Sequence, residues 1–389
     1  MSAAPGIALF SLNQRDADID VRERFADAVS TVDGADVLVV LTCHRAEVLA
    51  TGPASRPALA ERLGTDLPAV GHLRTGRDAA LQLLRIACGL DSAIRGEAQI
   101  LGQLRRRFDI ARTSGLDPAL GLATRRALEL GRELRRTTPL GSVRRTLGSL
   151  AVDAALAGIP DPATATVLVI GAGEIGKLAL RALGSRAGTV IVANRDAERA
   201  ASVAAEHGAV AIALERVGDA LDGAAAVIAA ADTRGAVLTP ERLRARLARG
   251  PLTVVDLALP RSVPAEARTL SGLRYVDVDG LGAATGSDLD GATITEVEAR
   301  CAVAADALVR DLRARAAASA ISALRGRAEA IRAAHLDRAL ARLRHLPERD
   351  RRIVESMSES LAHALIHEPT VRLRESPERE ASARDLFAL

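Results

Sequence analysis

The stretch that decides the fold is "TVLVIGAGEIGKLALRAL", residues 166–183. A run of residues that favour a β-strand leads into Gly171, Gly173 and Gly176, and an apolar pattern typical of a helix follows. In this G-x-G-x-x-G order the glycines supply a tight turn, let the backbone approach a pyrophosphate and allow the helix to pack closely on the strand. The N-terminus of the helix would then face the phosphates. We therefore predict a dinucleotide-binding unit here.

The residues after this unit favour one cofactor. The second strand, "TVIVANR" at residues 189–195, ends about 20 residues beyond the glycines, where an acidic residue would accept the ribose 2′-hydroxyl of NADH. The chain has Asn194, Arg195 and Asp196 there. An arginine suits the 2′-phosphate of NADPH, so we predict NADPH, although Asp196 is a residue that NADH could use. The predicted cofactor-binding residues are Gly171, Ala172, Gly173, Glu174, Ile175, Gly176, Asn194 and Arg195.

Three domains are predicted around this unit. Further strand candidates, "AAAVIAA", "LTVVDLA" and "LRYVDV", alternate with alanine-rich helical stretches, as in a parallel doubly wound sheet. Upstream, "GIALFSL" and "ADVLVVLTC" indicate strands, and helical spacing from Asp78 to Arg112 is interrupted near "GLDSAIRGE". Downstream, no glycine or proline occurs from Thr293 to Arg325, which indicates a long helix, and two more helical stretches follow. We predict an α/β fold with a mixed α/β catalytic domain (1–148), a Rossmann-type NADP-binding domain (149–285), a helical dimerisation domain (286–375) and a polar tail (376–389).

The composition argues against several classes of protein. The net charge is only +3 and aromatic residues make up 1% of the 389 residues, so bases are not expected to stack on aromatic side chains. The three cysteines are widely spaced, which argues against a zinc knuckle or a disulfide framework and for a reducing, cytoplasmic location. No apolar run reaches the roughly 18 residues that a membrane span needs, so we predict a soluble protein without membrane contact.

One cysteine is a candidate nucleophile. Cys43 lies in "LTCHRAEVLA", residues 41–50, where an apolar strand gives way to polar residues. A free cysteine is more often a small buried hydrophobe, which is our prediction for Cys88 and Cys301. For Cys43, His44 and Arg45 could lower the pKa of the thiol. A thiolate near a hydride donor suggests formation of a thioester and its reduction to an aldehyde.

Several motifs resemble those of one family. "LTCHRAEV" is similar to the catalytic motif of the glutamyl-tRNA reductases, and "GLDSAIRGEAQILGQLR" resembles their signature helix. "SLNQRDADIDVRER", "GRELRRTT", "VLVIGAGEIG", "VANRDAERA", "DLALPRSV" and "HEPTVRLRE" also match, in family order over nearly the whole chain. The resemblance implies an enzyme of tetrapyrrole biosynthesis that reduces glutamyl-tRNA to glutamate-1-semialdehyde with NADPH.

The resemblance also implies roles for particular residues and partners. Cys43 would be the nucleophile, with His44 and Gln82 as further catalytic residues. A V-shaped homodimer held by the C-terminal helices is implied, as is transfer of the aldehyde to glutamate-1-semialdehyde aminomutase. The residues implied to line the glutamyl pocket are Thr42, Arg45, Ser92, Glu97, Ala98, Gln99 and Gln103.

The chain departs from the family pattern at three positions. His44 stands where the family has asparagine, Gln82 where it has histidine, and Gln14 where it has the histidine of an Asn-His pair. A glutamine cannot titrate, so proton transfer by residue 82 is lost, although a hydrogen bond can still be donated. One alternative is therefore a diverged relative that acts on another aminoacyl carrier, or binds aminoacyl-tRNA without reducing it. Another is an unrelated two-domain dehydrogenase.

An arginine-rich region is the candidate contact for tRNA phosphates. The alternative is a solvated helix face balanced by Asp109, Glu129 and Glu133. The arginines concerned are Arg105, Arg106, Arg107, Arg125, Arg126, Arg132, Arg135 and Arg136.

Overall fold

The computed structural model describes residues 6–42, 44–52, 55–92, 94–143, 145–231, 237–283 and 289–389. Cys43 lies outside the described residues, whereas its neighbours Thr42 and His44 are included. Among the described residues, none of the helices is both long and apolar enough to cross a bilayer.

The N-terminal unit is a four-stranded antiparallel sheet with helices on both faces. The alternation in "GIALFSL" explains why both faces are covered, since Leu9 points into one core and Phe10 into the other. The sheet has the order β2-β3-β1-β4. Its strands are β1 (Ile7–Asn13), β2 (Val37–Leu41), β3 (Arg45–Thr51) and β4 (His72–Thr75). Its helices are α1 (Ile19–Val29), α2 (Arg56–Leu63), α3 (Gly76–Cys88), α4 (Gln99–Thr113) and α5 (Pro118–Thr137). The predicted break near "GLDSAIRGE" is the loop between α3 and α4.

The second unit confirms the predicted Rossmann-type domain. Helix α6 (Leu147–Leu156) packs on a six-stranded parallel sheet. The strand order, β10-β9-β8-β5-β6-β7, is that of a doubly wound dinucleotide-binding sheet. Its strands are β5 (Thr166–Ile170), β6 (Thr189–Asn194), β7 (Val210–Ala213), β8 (Ala226–Ala229), β9 (Leu252–Asp256) and β10 (Leu273–Asp277). Its helices are α7 (Glu174–Leu183), α8 (Ala197–His207), α9 (Val217–Leu221), α10 (Pro240–Leu247) and α11 (Val278–Ala283).

The third unit is helical, as predicted. Helix α12 (Gly291–Arg342) is continuous over 52 residues, so the second predicted helical stretch is its C-terminal half. Helix α13 (Glu348–Glu375) packs against α12, and α14 (Glu380–Phe387) follows. The expected polar tail therefore contains a helix, and Ala383 of that helix is buried with Ile321 and Leu373.

The core of the N-terminal unit extends into α12. Val297, Cys301, Leu308 and Leu312 are buried in the same cluster as Leu9 of β1. The Sγ atoms of Cys301 and Cys88 are 3.7 Å apart, and both residues are fully buried. The prediction that these two cysteines serve packing is confirmed.

Candidate active site

A tight turn between β2 and β3 carries the candidate nucleophile. The Thr42 backbone N–H donates to the Arg45 carbonyl at 2.9 Å. The Thr42 hydroxyl accepts the backbone N–H groups of His44 and Arg45, each at 3.2 Å. Gln14 fixes the turn from the side, because its N–H donates to the His44 carbonyl at 3.0 Å. Thr42, His44 and Arg45 are thus held by the Thr42 hydroxyl and by backbone hydrogen bonds, and Cys43 lies between Thr42 and His44 in the sequence.

The side chain of Arg45 is held within the protein. It is 2% exposed, and its Nη1 lies 3.2 Å from Glu47 Oε1. Its Nη2 donates to the carbonyl oxygen of Asp91. Two of its donors are therefore committed to Glu47 of β3 and to the loop after α3, which leaves fewer for a substrate in the glutamyl pocket that Arg45 was expected to line.

Gln82 also acts on that loop. Its Nε2 donates to Asp91 Oδ2 at 2.5 Å, and Arg85 Nη2 donates to Asp91 Oδ1 at 3.1 Å. Gln82 is buried and titrates at no pH, so what the described contacts show is a hydrogen-bond donor to Asp91.

The loop between α3 and α4, described at residues 89–92 and 94–97 and here called the site loop, carries two of the expected pocket residues, and a third follows it. Ser92 and Glu97 are buried, and Ala98 is exposed at the start of α4. Arg135 of α5 holds the loop: its guanidinium donates to the carbonyls of Glu97 at 2.6 Å, Gly96 at 3.2 Å and Cys88 at 3.4 Å. Arg135 is thus a half-buried residue whose guanidinium is engaged by the site loop.

The glycine turn fits a dinucleotide. A Cβ at Gly171 would lie 2.7 Å from Ala230 backbone atoms, and one at Gly176 would lie 1.9 Å from the Gly171 carbonyl oxygen. Gly173, by contrast, would meet no protein atom within 4 Å. Gly171 and Gly176 therefore allow close packing of the backbone, whereas the space beside Gly173 is open. A pyrophosphate would approach the N-terminus of α7 through this open space.

The end of β6 borders this turn. Asn194 Oδ1 accepts the Ala172 N–H at 3.3 Å, so Asn194 supports the glycine turn. Asp196 caps α8 by accepting the Arg199 N–H at 3.0 Å, and Arg195 between them is exposed. The carboxylate of Asp196 thus serves as a helix cap. Arg195 is the exposed cation at the end of β6, where the adenosine ribose of a bound dinucleotide would lie.

A cavity of about 430 Å³ joins the two units. Thr42 and Gln103 line it from the N-terminal unit. Ile175 lines it from the glycine turn, and Ala230 and Leu257 come from the segments after β8 and β9. The cysteine-bearing turn therefore faces the carboxyl edge of the parallel sheet, the edge at which dinucleotides bind.

Ion pairs join the units around this cavity. Arg22 of α1, 1% exposed, donates to Asp279 Oδ1 at 2.6 Å. Arg261 Nε lies 3.0 Å from Glu23 Oε1. On the other side, Arg106 of α4 lies 3.5 Å from Glu174 in the first turn of α7. Glu174, expected to bind the cofactor, thus also contacts the N-terminal unit.

Burial changes the protonation of several groups. Desolvation, together with Arg22 and Arg45, lowers the pKa of His44 to about 3, so its imidazole is neutral. A neutral imidazole adds no positive charge beside the thiol, since a cation would be costly at a buried site near two arginines. Burial raises the pKa of Glu47 and of Glu97 to about 7, although Arg45 opposes the shift in both.

Sequence reasoning missed two acids that hold loops of the candidate site. Asp91, in the site loop, accepts hydrogen bonds from Gln82 and Arg85. Its position in "GLDS", next to Ser92, was the feature of the sequence that could have identified it. Asp256, at the end of β9, accepts the N–H groups of Ala258 at 3.2 Å and Val263 at 3.0 Å. It therefore shapes the loop that lines the cavity.

Comparisons with known proteins cover nearly the whole chain. Residues 10–138 match the family model "Glutamyl-tRNAGlu reductase, N-terminal domain", 153–284 match "Shikimate / quinate 5-dehydrogenase" and 296–389 match "Glutamyl-tRNAGlu reductase, dimerisation domain". The chain is 32% identical to glutamyl-tRNA reductase of Sorangium cellulosum, over 93% of this chain and 77% of the relative. It is 33% identical to that of Myxococcus xanthus, over 97% and 92%. A solved structure of glutamyl-tRNA reductase from Methanopyrus kandleri aligns with a TM-score of 0.47 at 25% identity, covering 96% of this chain and 98% of that one.

The fold and the cavity define a class of protein. A doubly wound sheet with an open glycine turn, joined by a cavity to a second catalytic unit, is typical of nicotinamide-dependent oxidoreductases. Because relatives above 30% identity are matched over most of both chains, the chain belongs to the glutamyl-tRNA reductase family.

Proposed function

We propose that this chain reduces glutamyl-tRNA to glutamate-1-semialdehyde with NADPH, by way of a thioester on Cys43. The observation that carries the proposal is the cavity lined by Thr42 of the cysteine turn and by residues at the carboxyl edge of the dinucleotide-binding sheet. A substrate carbonyl in this cavity would lie between a thiol and a bound nicotinamide. Family membership supports the substrate and the reaction.

The reaction divides into two steps. The Cys43 thiolate attacks the ester carbonyl, the bond to the tRNA ribose oxygen breaks, and that oxygen leaves with a proton. NADPH, when bound, supplies a hydride to the thioester carbonyl. The carbon–sulfur bond then breaks as the carbonyl re-forms, which releases the aldehyde and returns the Cys43 thiolate.

The described residues would bind and orient the substrate. Thr42 and the backbone around it hold the cysteine turn. Arg45 and Gln82 act through Asp91 on the site loop, so we assign them to positioning the glutamyl group. Ser92, Gln99 and Gln103 are proposed to contact that group. Glu97 has a pKa of about 7, because burial raises it, and is the titratable candidate for moving a proton in place of the missing histidine at position 82.

The dinucleotide is proposed to be NADPH rather than NADH. Gly173 leaves room for the pyrophosphate, and Asn194 holds the turn in place. Arg195 is exposed where the 2′-phosphate would lie, and Asp196 caps a helix. A guanidinium can bind that phosphate through two hydrogen bonds.

A homodimer through the C-terminal helices is proposed as the working form. A groove of about 720 Å³ between α12 and α13, here the apolar groove, is lined by Ile331, Met357, Leu361 and Leu365. These side chains are 52–76% exposed, which is unusual for large apolar residues on one surface. Their packing on a second copy agrees with the family's dimerisation domain at 296–389. A cytoplasmic location and transfer of the aldehyde to the aminomutase belong to the same proposal.

A single-turnover assay tests the reaction. Purified protein is mixed with NADPH and glutamyl-tRNA that carries labelled glutamate, beside Cys43→Ser and Cys88→Ser variants. Labelled semialdehyde from wild type and from Cys88→Ser, but not from Cys43→Ser, is the expected result. Label trapped on Cys43 without aldehyde would instead support the diverged relative that lacks reduction.

A further inference from the structure

The solvent face of α5 carries a line of arginines. Arg125, Arg132 and Arg136 are separated by seven and four residues, spacings that place them on one side of a helix with 3.6 residues per turn. The opposite side, with Leu120, Leu134 and others, is buried. Arg125, Arg132 and Arg136 are here called the arginine stripe, and they span about 16 Å along the helix axis.

Other arginines of the same region are used by the protein itself. Arg106 pairs with Glu174, and Arg107 Nε donates to the Val39 carbonyl at 2.9 Å. Arg126 Nη2 lies 2.9 Å from Asp311 of α12. Arg135 holds the site loop. The basic region predicted from the sequence thus separates into arginines with internal partners and arginines without them.

The stripe belongs to the second group. All three side chains are exposed, and within the described part of the chain no hydrogen-bond or ion-pair partner contacts their guanidinium groups. Glu129, which lies near the stripe, is 3.5 Å from Arg126 and not paired with the stripe. Three cations without acidic partners on one helix face form a local positive field, although the whole chain has a net charge of only +3.

The stripe ends beside the site loop. Arg136 follows Arg135, whose Nη1 donates to the Gly96 carbonyl at 3.2 Å. Arg95, next to Gly96, is exposed as well, and no described residue pairs with it. Positive charge therefore extends along α5 to the loop that carries Ser92 and Glu97.

We infer that the arginine stripe binds backbone phosphates of the tRNA acceptor arm. This inference rests on the proposed function, in which the aminoacylated end of the tRNA must reach the cavity near the site loop. The end of α5 lies beside this loop, so the stripe is placed to contact a polyanion that extends from the loop along the helix. Guanidinium groups suit phosphate, and a chain with 1% aromatic residues has few rings on which bases could stack.

The test compares two triple variants that remove the same charge. Arg125→Gln/Arg132→Gln/Arg136→Gln removes the stripe. Arg181→Gln/Arg216→Gln/Arg249→Gln removes three exposed arginines of the dinucleotide domain. Binding of glutamyl-tRNA and of the same tRNA uncharged is measured between 50 and 200 mM salt, and thermal melting checks that both variants fold.

The stripe variant should show a salt dependence that is shallower by about two to three units of log K per log salt, and binding at least about tenfold weaker at low salt. The control should keep the wild-type slope. Equal slopes in all three proteins, equal losses in both variants, or no tRNA binding by wild type would overturn the inference. Aldehyde formation by wild type is scored separately, so the reaction and the stripe can each fail alone.

Discussion

Replacing Arg135 with methionine tests whether the site loop depends on one side chain. Methionine keeps most of the length of the stem but removes every donor. The Glu97 and Gly96 carbonyls, 2.6 and 3.2 Å from the guanidinium, would lose their partner, while the 3.4 Å contact with Cys88 is too long to count fully.

The magnitude follows from these two bonds. Hydrogen bonds from a charged donor contribute about 1.5–3 kcal/mol each, so the gross loss is about 3–6 kcal/mol. Removing a buried cation offsets part of this loss. We expect the free energy of unfolding to fall by about 2–4 kcal/mol. Because the loop carries Ser92 and Glu97, kcat/KM for glutamyl-tRNA should fall by about 100-fold in protein that is still folded.

Two assays separate stability from positioning. Urea unfolding gives the free energy, and steady-state kinetics are run where melting curves show that the variant is folded. Arg136→Met, one residue along and exposed, is the control for stability and should change it by less than about 0.5 kcal/mol. An Arg135→Met protein that matches this control in stability, or keeps wild-type kcat/KM, would refute the reasoning.

Three further predictions concern protonation, the cofactor and the thiol. The pKa of Glu47 is about 7 in the folded protein and 4.5 in the unfolded chain. The contribution of protonated Glu47 to the free energy of unfolding is therefore fully present below pH 4.5 and is lost as the pH rises through 7. Glu47→Gln should therefore remove about 3 kcal/mol of that pH dependence, measured by unfolding at pH 4 and 8; an unchanged profile contradicts this. Gly176→Ala should lower both the melting temperature and NADPH binding, because its Cβ would lie 1.9 Å from a carbonyl oxygen, whereas Gly173→Ala should weaken only binding; equal melting temperatures would count against this assignment. A thiol reagent should modify one cysteine quickly in the native protein and none in Cys43→Ser, since the other two are fully buried; a fast thiol remaining in that variant would exclude Cys43.

The predictable part of the fold was the part with regular periodicity. The glycine motif and five strands of the parallel sheet were identified because buried strands are continuous apolar runs. Strand β7 was missed, since it is a four-residue edge strand without a fully buried residue. Strand β3 was missed because Arg45 and Glu47 lie within it and pair in the interior, which makes a buried strand look polar in sequence.

The sequence motifs predicted which residues belong to the site but not the contacts between them. The cysteine turn and the site loop come from motifs, yet the contacts of Arg135 depend on how α5 packs against the end of α3. In the sequence, Arg135 is one arginine among several. The first half of α12 likewise belongs to the N-terminal core, although 213 residues separate Cys301 from Cys88. Such contacts depend on tertiary packing, which short-range periodicity does not encode.

Helix α12 has one point of low stiffness. It is 52 residues long, or about 78 Å, and apart from its first residue Gly326 is its only glycine. Gly326 follows the part of the helix that is buried in the N-terminal core and lies between Leu324 and Arg327, where the apolar groove begins. A bend of 5° there would move the end of the helix, about 24 Å further on, by about 2 Å. Alanine fits at this position without a clash and would stabilise the helix by about 1 kcal/mol, which disfavours local bending. The angle between two copies joined at the groove could therefore be tuned by a residue that touches neither the groove nor the cavity.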